Sequence, residues 1–339
     1  MPADVRNRSA AGKSTLSSGV WEPEGQERLE RRAVAAANIR IDAATAEVLR
    51  GLQAARVEVL LLKGASIAQW LYDGNRAYTD CDLWIRPGAT EQAERILAGL
   101  GFEAYVDEAG LPDWWLEHAS AWTRSVDGVC VDLHSTLPGV GVDAEAAWRT
   151  LSRATETMIV ARYPARALSP PARALHIALH VAQHGQTWGK ALDDLERAVD
   201  VVEEPVWMGA RALAEELEAT DALAAGLRLI PAGVALADRL DLSPNRSVKV
   251  ALHARPRAPI ALGIEQLAQA NGWLARARIV ARKLVPPRGF MRHWYPPAAG
   301  SRRQLVFAYV YRPIWLLRNA PHGWREWRRA RRRVRAGQG

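Results

Sequence analysis

The stretch from Val57 to Ile85 constrains the fold of this chain more than any other segment. Its mostly apolar start, Val57–Leu62, is long enough for one buried strand, and a helical pattern follows the turn at Gly64. A second strand-like run then carries Asp80 and Asp82. Because side chains alternate along a strand, these two carboxylates share one face, ~7 Å apart at the backbone. A strand, a turn, a short helix and a second strand are therefore expected, with paired carboxylates beside the turn.

This arrangement predicts a divalent metal ion next to a phosphate-binding site. Mg²⁺ is bound through carboxylate oxygens, and backbone N–H groups at the start of a helix bind phosphate. A third carboxylate, Asp132, lies in an alternating run that follows Asp127-Gly128, a dipeptide typical of a tight type I′ hairpin. With Asp80 and Asp82 it would complete the acidic ligands of a two-metal site. The alternative is that Asp80 is a turn residue and Asp132 a solvated strand residue.

Helical periodicity accounts for most of the remaining chain. Helices are predicted at Glu27–Ala55 and Thr90–Leu100, and a short strand at Phe102–Val106. Past residue 140 the strand signals fade, so strands are expected only within 55–135, and 166–285 is expected to be all-helical. The later helices are predicted at Pro170–His184, Lys190–Glu203, Gly209–Ala219, Ala222–Leu240 and Ile264–Lys283.

Charge is unevenly distributed along the chain. The net charge is +8, but residues 271–339 hold 17 Lys/Arg against one acid, Glu326, so residues 1–270 carry −8. This asymmetry predicts an anionic partner for the tail. An anionic membrane surface or an acidic protein is favoured over nucleic acid, since no nucleic-acid module is recognisable; a solvated basic extension is the alternative. The membrane interpretation rests on aromatic residues among the arginines: Phe307, Tyr309, Tyr311, Trp315, Trp324 and Trp327.

Several features indicate a cytoplasmic protein. Cys81 and Cys130 both fall in predicted strands, where we expect reduced thiols and no disulfide. The first 25 residues lack the apolar core of a signal peptide, and no run approaches the ~20 apolar residues of a spanning helix. Peripheral attachment to the membrane through the basic tail is compatible with this expectation.

Three strings resemble one known family. LLKGASIAQWLYDGNRAYTDCDLWI, CVDLHSTL and ALHIALHVAQHG…LDDLERAV look like the bacterial nucleotidyltransferase family of the polymerase-β-like superfamily, in the same order and over about residues 30–300. The resemblance implies an α+β protein with a small mixed-sheet polymerase-β-like nucleotidyltransferase domain and an all-helical C-terminal domain. Members often accompany biosynthetic clusters for peptides or surface polysaccharides. We expect a disordered leader at 1–26, the nucleotidyltransferase domain at 27–165, the helical domain at 166–285 and the basic Trp/Arg-rich tail at 286–339.

The resemblance also implies roles for the acidic residues and the turn. Asp80 and Asp82 match the family's Asp-x-Asp metal pair, and Asp132 matches the third carboxylate, which helps deprotonate the acceptor hydroxyl. Lys63 and Gly64 match a Lys-Gly pair whose backbone N–H groups hold the β- and γ-phosphates, assisted by the helix dipole.

Further residues are assigned by the same resemblance. Ser66 would add a hydroxyl to the phosphate site, although Gly64-Ala65 stands where the superfamily has Gly-Ser. Arg76 would contact the triphosphate as a planar fork, and His134 would orient acceptor or phosphate. In the ordinary interpretation, Lys63, Arg76 and His134 are polar residues of a strand edge, a loop and a strand end, and Gly64 only permits the turn.

His176, His180 and His184 recur every four residues and share one helix face. Histidines at this spacing can share Zn²⁺, but neither the glutamate of a zinc protease nor nearby cysteines accompany them. The resemblance places His180, His184 and Asp194 in the cleft between the domains, touching nucleotide or acceptor. Plain helix packing, with Asp194 holding a histidine tautomer, is the alternative.

The function implied is Mg²⁺-dependent transfer of a nucleoside monophosphate from an NTP, with ATP preferred, to a hydroxyl or phosphate acceptor. The acceptor would be a small molecule, a peptide or a glycan, and pyrophosphate would be released. Two alternatives stay open: a non-catalytic nucleotide- or partner-binding protein on the same fold, and a polymerase relative that acts on nucleic acid.

Overall fold

The computed structural model describes residues 23–104, 119–185, 189–243, 248, 252 and 259–336. Of the expected leader at 1–26, only 23–26 are described, and they begin the first helix, α1, at Pro23–Ala54. Most of that prediction therefore lies outside the described residues.

A seven-stranded mixed sheet, counted over the described residues, occupies the first half of the chain. Its spatial order is β3-β4-β5-β2-β1-β7-β6, with β2 parallel to β5, β1 parallel to β7 and the other neighbours antiparallel. The strands are β1 (Val59–Leu61), β2 (Asp80–Ile85), β3 (Glu103–Ala104), β4 (Ala119–Arg124), β5 (Val129–His134), β6 (Thr155–Val160) and β7 (Tyr163–Leu168).

The register between β2 and β5 brings the predicted carboxylates together. Asp82 lies directly opposite Asp132, and Asp80 lies opposite Cys130. Since β5 neighbours β2, the expectation that the third carboxylate comes from an adjacent strand is confirmed.

The expectation that strands end near residue 135 is wrong. β6 and β7 form a second hairpin, and β7 continues the sheet by pairing with β1 through Leu61 and Ala167. Its turn, Ala161-Arg162, takes positive φ angles of 45° and 65° without glycine or asparagine. The usual sequence signal for such a turn is therefore missing.

The turn between β4 and β5 also differs from its prediction. The connection is four residues long, and Gly128 N–H donates to the carbonyl of Arg124 at 2.8 Å. Of these residues only Gly128 has a positive φ, of 66°, whereas a type I′ turn needs two. Asp127 is instead held by Arg124, at 2.7 Å, and by the backbone N–H of Val129.

The predicted helices are present, with two of them divided. Pro231 separates Ala222–Leu240 into α8 and α9, because proline begins a new helix at its first position. Gly272, with φ of 87°, divides Ile264–Lys283 in the same way. The helices after α1 are α2 (Ala65–Tyr72), α3 (Thr90–Gly99), α4 (Ala144–Leu151), α5 (Pro170–His184), α6 (Gly189–Val201), α7 (Glu204–Glu216), α8 (Thr220–Leu227), α9 (Pro231–Arg239), α10 (Pro259–Gln269), α11 (Trp273–Leu284), α12 (Arg288–Trp294) and α13 (Arg302–Ala336).

The sheet is covered on both faces. Leu61, Leu83 and Ile85 pack with α1 and α3 on one side, while Leu60 and Trp84 point to the other side and pack with α4–α9. Asp80 and Asp82 alternate with Leu83 and so share the face of Trp84. The carboxylates are thereby aimed at the helical half of the protein.

The cysteines and the apolar character of the helices were also subjects of sequence expectations. Cys81 and Cys130 are free thiols, as predicted. Across the described ranges, no helix has both the length and the apolar character needed to cross a bilayer.

We predict that Gly226→Ala will loosen the packing of α8 on α5, the helix that carries the three histidines. A Cβ at Gly226 would lie 2.1 Å from the carbonyl oxygen of Ala178, so the free energy of unfolding should fall by roughly 3 kcal/mol. Gly263→Ala in α10 is the matched control, since its Cβ meets only Lys283 at 3.8 Å. It should raise stability by up to ~1 kcal/mol. Equal effects in urea denaturation would contradict this prediction.

Candidate active site

A cavity of about 400 Å³ lies between the carboxylate face of the sheet and helices α5 and α6. Of the eleven site residues predicted from the sequence, ten line this cavity. They are Lys63, Gly64, Arg76, Asp80, Asp82, Asp132, His134, His180, His184 and Asp194. The folded chain therefore gathers residues that span more than 130 positions into one site.

Ser66 is the exception among the predicted residues. It is fully buried, and its hydroxyl has no hydrogen-bond partner among the residues that the structure describes. It does not belong to the cavity lining, and its backbone N–H already donates to the carbonyl of Lys63 at 3.2 Å. The structure therefore places the Ser66 hydroxyl apart from the phosphate site expected for it.

Asp82 is the centre of the site. Its Oδ1 lies 2.7 Å from Nζ of Lys63 and 3.0 Å from Nε2 of His134, and the residue is only 2% exposed. Because an ionised carboxylate can only accept, His134 donates this hydrogen bond. One ligand atom each of Asp82, Asp132 and His134 lie within 4.8 Å of one another, so these residues could hold a metal ion. Asp80 lines the same cavity but is not one of the three residues whose ligand atoms lie within 4.8 Å of one another.

The three carboxylates differ in their proton affinity. Burial alone would raise the pKa of Asp82, but the charge of Lys63 and the hydrogen bond from His134 hold it well below its usual range. Burial, then the charge of Asp82, raises the pKa of Asp132 to about 6. The same two causes raise the pKa of Asp80. Asp82 is therefore suited to bind a cation, and Asp132 is suited to accept a proton near neutral pH.

Gly64 brings the start of α2 to the wall of the cavity. Its φ of 60° favours glycine, and a Cβ at this position would lie 3.3 Å from the backbone oxygen of Asp80. The turn can therefore lie directly against β2. The N-terminus of α2, a position that attracts anions, is thereby placed beside the carboxylates.

Arg76 is bound to a carboxylate of the protein. Its guanidinium makes a bidentate pair with Asp194, from Nε to Oδ1 at 2.6 Å and from Nη2 to Oδ2 at 2.5 Å. The hydroxyl of Tyr72 donates to the same Oδ1 at 3.0 Å. Asp194 belongs to α6 and Arg76 to the loop before β2, so this pair joins the helical half to the sheet. No local sequence pattern predicts that Arg76 pairs with Asp194.

The three histidines of α5 line the same cavity. Nε2 of His180 lies 3.5 Å from Nζ of Lys63, and the His180 and His184 rings are 4.6 Å apart. Burial, then Lys63, lowers the pKa of His180, and the same causes lower that of His176 to about 3. Within the described residues, the only cluster with metal-ligand geometry is the one around Asp82.

Three further lining residues are not predicted from the sequence. Thr79, Gln183 and Lys190 also contribute to the cavity wall. Lys190 lies in the first turn of α6, and its pKa is lowered by burial and then by Arg76. A single lysine at the start of a helix carries no motif, so only the fold reveals its position.

Comparisons with known proteins agree with this geometry. Residues 22–232, more than half of the chain, match the sequence model of a family described as an uncharacterised nucleotidyltransferase. No curated protein sequence matches the chain.

Two solved structures are similar to it at a low level. One is an antigenic nucleotidyltransferase-like protein from Paracoccidioides brasiliensis, with 14% identity and a TM-score of 0.33, covering 55% of this chain and 93% of the other. The second is the antibiotic-resistance factor ANT(2'')-Ia, with 16% identity and a TM-score of 0.33, covering 50% of this chain and 91% of the other. Similarity at this level supports no inference about function.

We predict that the Arg76–Asp194 pair contributes strongly to stability. Both side chains are about nine-tenths buried, so Asp194→Asn should cost roughly 3 kcal/mol by leaving the guanidinium without a counter-charge. In a double-mutant cycle with Arg76→Gln, the coupling energy should exceed ~1 kcal/mol. The control is Glu204→Gln, whose ion pair with Arg239 is half-exposed and should cost under ~1 kcal/mol. Similar losses for both pairs would contradict the assignment.

Proposed function

The chain belongs to the family of uncharacterised nucleotidyltransferases, and from this membership we propose that it transfers a nucleoside monophosphate from an NTP, with ATP as donor, to an acceptor. The acceptor group is a hydroxyl or a phosphate on a small molecule, peptide or glycan. The observation that supports this proposal most is the convergence of Asp82, Asp132 and His134 within 4.8 Å, in a cavity of about 400 Å³.

The donor atoms at this site fit a divalent cation. Asp82 and Asp132 supply carboxylate oxygens from directly opposed strand positions, and we propose that Asp80 joins them as the third acidic ligand. His134 lies within ligand distance of both and in this structure holds Asp82 in place. When bound, Mg²⁺ would neutralise charge on the phosphates and polarise the reacting oxygen.

Phosphate binding is proposed for the turn after β1. Lys63 lies at the cavity wall with its ammonium group 2.7 Å from Asp82, so a positive charge already stands beside the acidic cluster. Gly64 places the N-terminus of α2 next to it. Together they would hold the β- and γ-phosphates. Ser66 is left out of the proposal because its hydroxyl is buried outside the cavity.

The transfer reaction needs a base and an in-line acceptor. The acceptor oxygen attacks the α-phosphorus, the bond from that phosphorus to the bridging oxygen breaks, and pyrophosphate leaves. For a hydroxyl acceptor, the proton passes to the carboxylate of Asp132, which lines the same cavity. His180, His184 and the Arg76–Asp194 pair form the helical side of the cavity. We propose that they contact the nucleotide or the acceptor.

We predict that Asp82→Asn abolishes transfer. Losing the ionised carboxylate removes the cation ligand and the partner of Lys63, so the rate should fall at least about a hundredfold. The assay incubates the protein with Mg²⁺ and each labelled NTP, with cell lysate as the acceptor source, and circular dichroism checks the fold. Asp193→Asn, an exposed carboxylate on α6, is the control and should leave transfer unchanged. Transfer by Asp82→Asn as fast as wild type would show that the site is misassigned.

We further predict a metal-dependent effect of ATP on thermal stability. ATP with Mg²⁺ should raise the melting temperature more than ATP alone, because a ligand that binds only the folded state stabilises it. Asp82→Asn and Asp132→Asn should each lose the Mg²⁺-dependent part of the shift. If ATP shifts the melting temperature equally with and without Mg²⁺, the non-catalytic binding protein becomes the better interpretation.

A further inference from the structure

The C-terminal helix α13 presents a stripe of exposed apolar side chains. Val306, Phe307, Val310, Ile314 and Leu317 are each between 51% and 74% exposed. At about 100° per residue, these positions fall within an arc of about 100° on one side of the helix. Trp324, 47% exposed, lies on the same side. The stripe from Val306 to Trp324 is therefore about 27 Å long.

The opposite side of α13 already has partners. Ala308, Arg312 and Trp327 are buried, and Trp327 donates to Oε2 of Glu265. Tyr309 donates to the carbonyl of Pro286, and the ring of Trp315 packs on that of Trp294 at 5.5 Å. Several of the aromatic residues that suggested a membrane surface are thus used within the fold. The surface left for a partner is mainly aliphatic.

A basic pocket adjoins the start of this stripe. Arg288, Arg292 and Arg302 line a cavity of about 600 Å³ that Val306 and Tyr309 also line. All three arginines are exposed, and none forms an ion pair with another of the described residues. The only acid after residue 270, Glu326, pairs with Arg329 at 2.9 Å. Among the described residues, the positive charge of these three arginines is therefore not neutralised by an ion pair.

We propose that this surface, the α13 stripe together with the arginine pocket, docks on an anionic phospholipid bilayer. The apolar stripe would lie among the acyl chains at the interface, and Arg288, Arg292 and Arg302 would bind lipid phosphate. An exposed helix with an apolar face and a basic surround is the arrangement that binds anionic membrane surfaces. The proposal does not depend on the transfer reaction.

Other occupants fit the observations less well. A second copy of the chain would bring together two helices that each carry eleven arginines and one acid, so their charges would repel. Nucleic acid would engage the arginines but would leave the aliphatic stripe in water. A bilayer accommodates both features at once, because its interface is anionic outside and apolar beneath.

The test is flotation of the full chain with vesicles. The protein should float with vesicles of phosphatidylcholine and phosphatidylglycerol, and not with phosphatidylcholine alone. Val310→Ser/Leu317→Ser should weaken binding at least about tenfold, because both side chains are exposed and their loss removes apolar contact with lipid. Arg288→Gln/Arg292→Gln should weaken it by a similar factor. Neither pair removes a buried side chain, so circular dichroism and melting temperature should stay as in wild type.

Two exposed residues far from α13 serve as controls. Val126→Ser, at an 86% exposed valine of the β4–β5 loop, and Arg149→Gln, at an exposed arginine of α4, should leave vesicle binding unchanged. Failure to float with anionic vesicles would overturn the proposal. A dimer in sedimentation velocity that Val310→Ser/Leu317→Ser dissociates, without any vesicle binding, would also overturn it. Binding to single-stranded RNA in place of vesicles would do the same.

Discussion

The buried contact between Lys63 and Asp82 is the interaction on which the site and the sheet both depend. Removing a carboxylate from water is costly unless it is paired and hydrogen-bonded. Here Lys63 follows β1, Asp82 lies on β2 and His134 ends β5, so three neighbouring strands meet at one carboxylate. A slip of one residue in β2 would turn Asp82 toward the apolar cluster under α1 and α3. The register of the sheet therefore determines whether Asp82 can reach Lys63 and His134.

The helical half completes what the sheet begins. The Arg76–Asp194 pair fixes α6 against the loop before β2, and His180 on α5 reaches Lys63. Gly226 permits the backbone of α8 to approach α5 closely enough to hold that helix in position. The cavity thus exists only when both halves are folded together. Loosening the contact between α8 and α5 should therefore alter the site even though no lining residue changes.

The C-terminal region packs differently from the rest of the protein. Its apolar residues form two small clusters around Phe290 and Trp327, and a continuous apolar stripe remains on the outside of α13. Because exposed arginines flank that stripe, the exposed surface of α13 is apolar along the stripe and strongly basic beside it. Residues 1–270 are therefore acidic in net charge, while the region that contains α13 is strongly basic.

The sequence by itself determined the features that depend on local order. Strand alternation placed Asp80 and Asp82 on one face, four-residue spacing placed the three histidines on one side of α5, and the charge count located the basic tail. Only the tertiary structure decided the β6–β7 hairpin, the burial of Ser66, the pairing of Arg76 with Asp194 and the inward turn of Trp315 and Trp327. The physical reason is that periodicity fixes which side chains share a face. Which faces meet is set by packing and pairing between residues far apart in the chain, and these leave no local pattern. The β6–β7 hairpin is local, but its turn lacks the glycine or asparagine that would predict it.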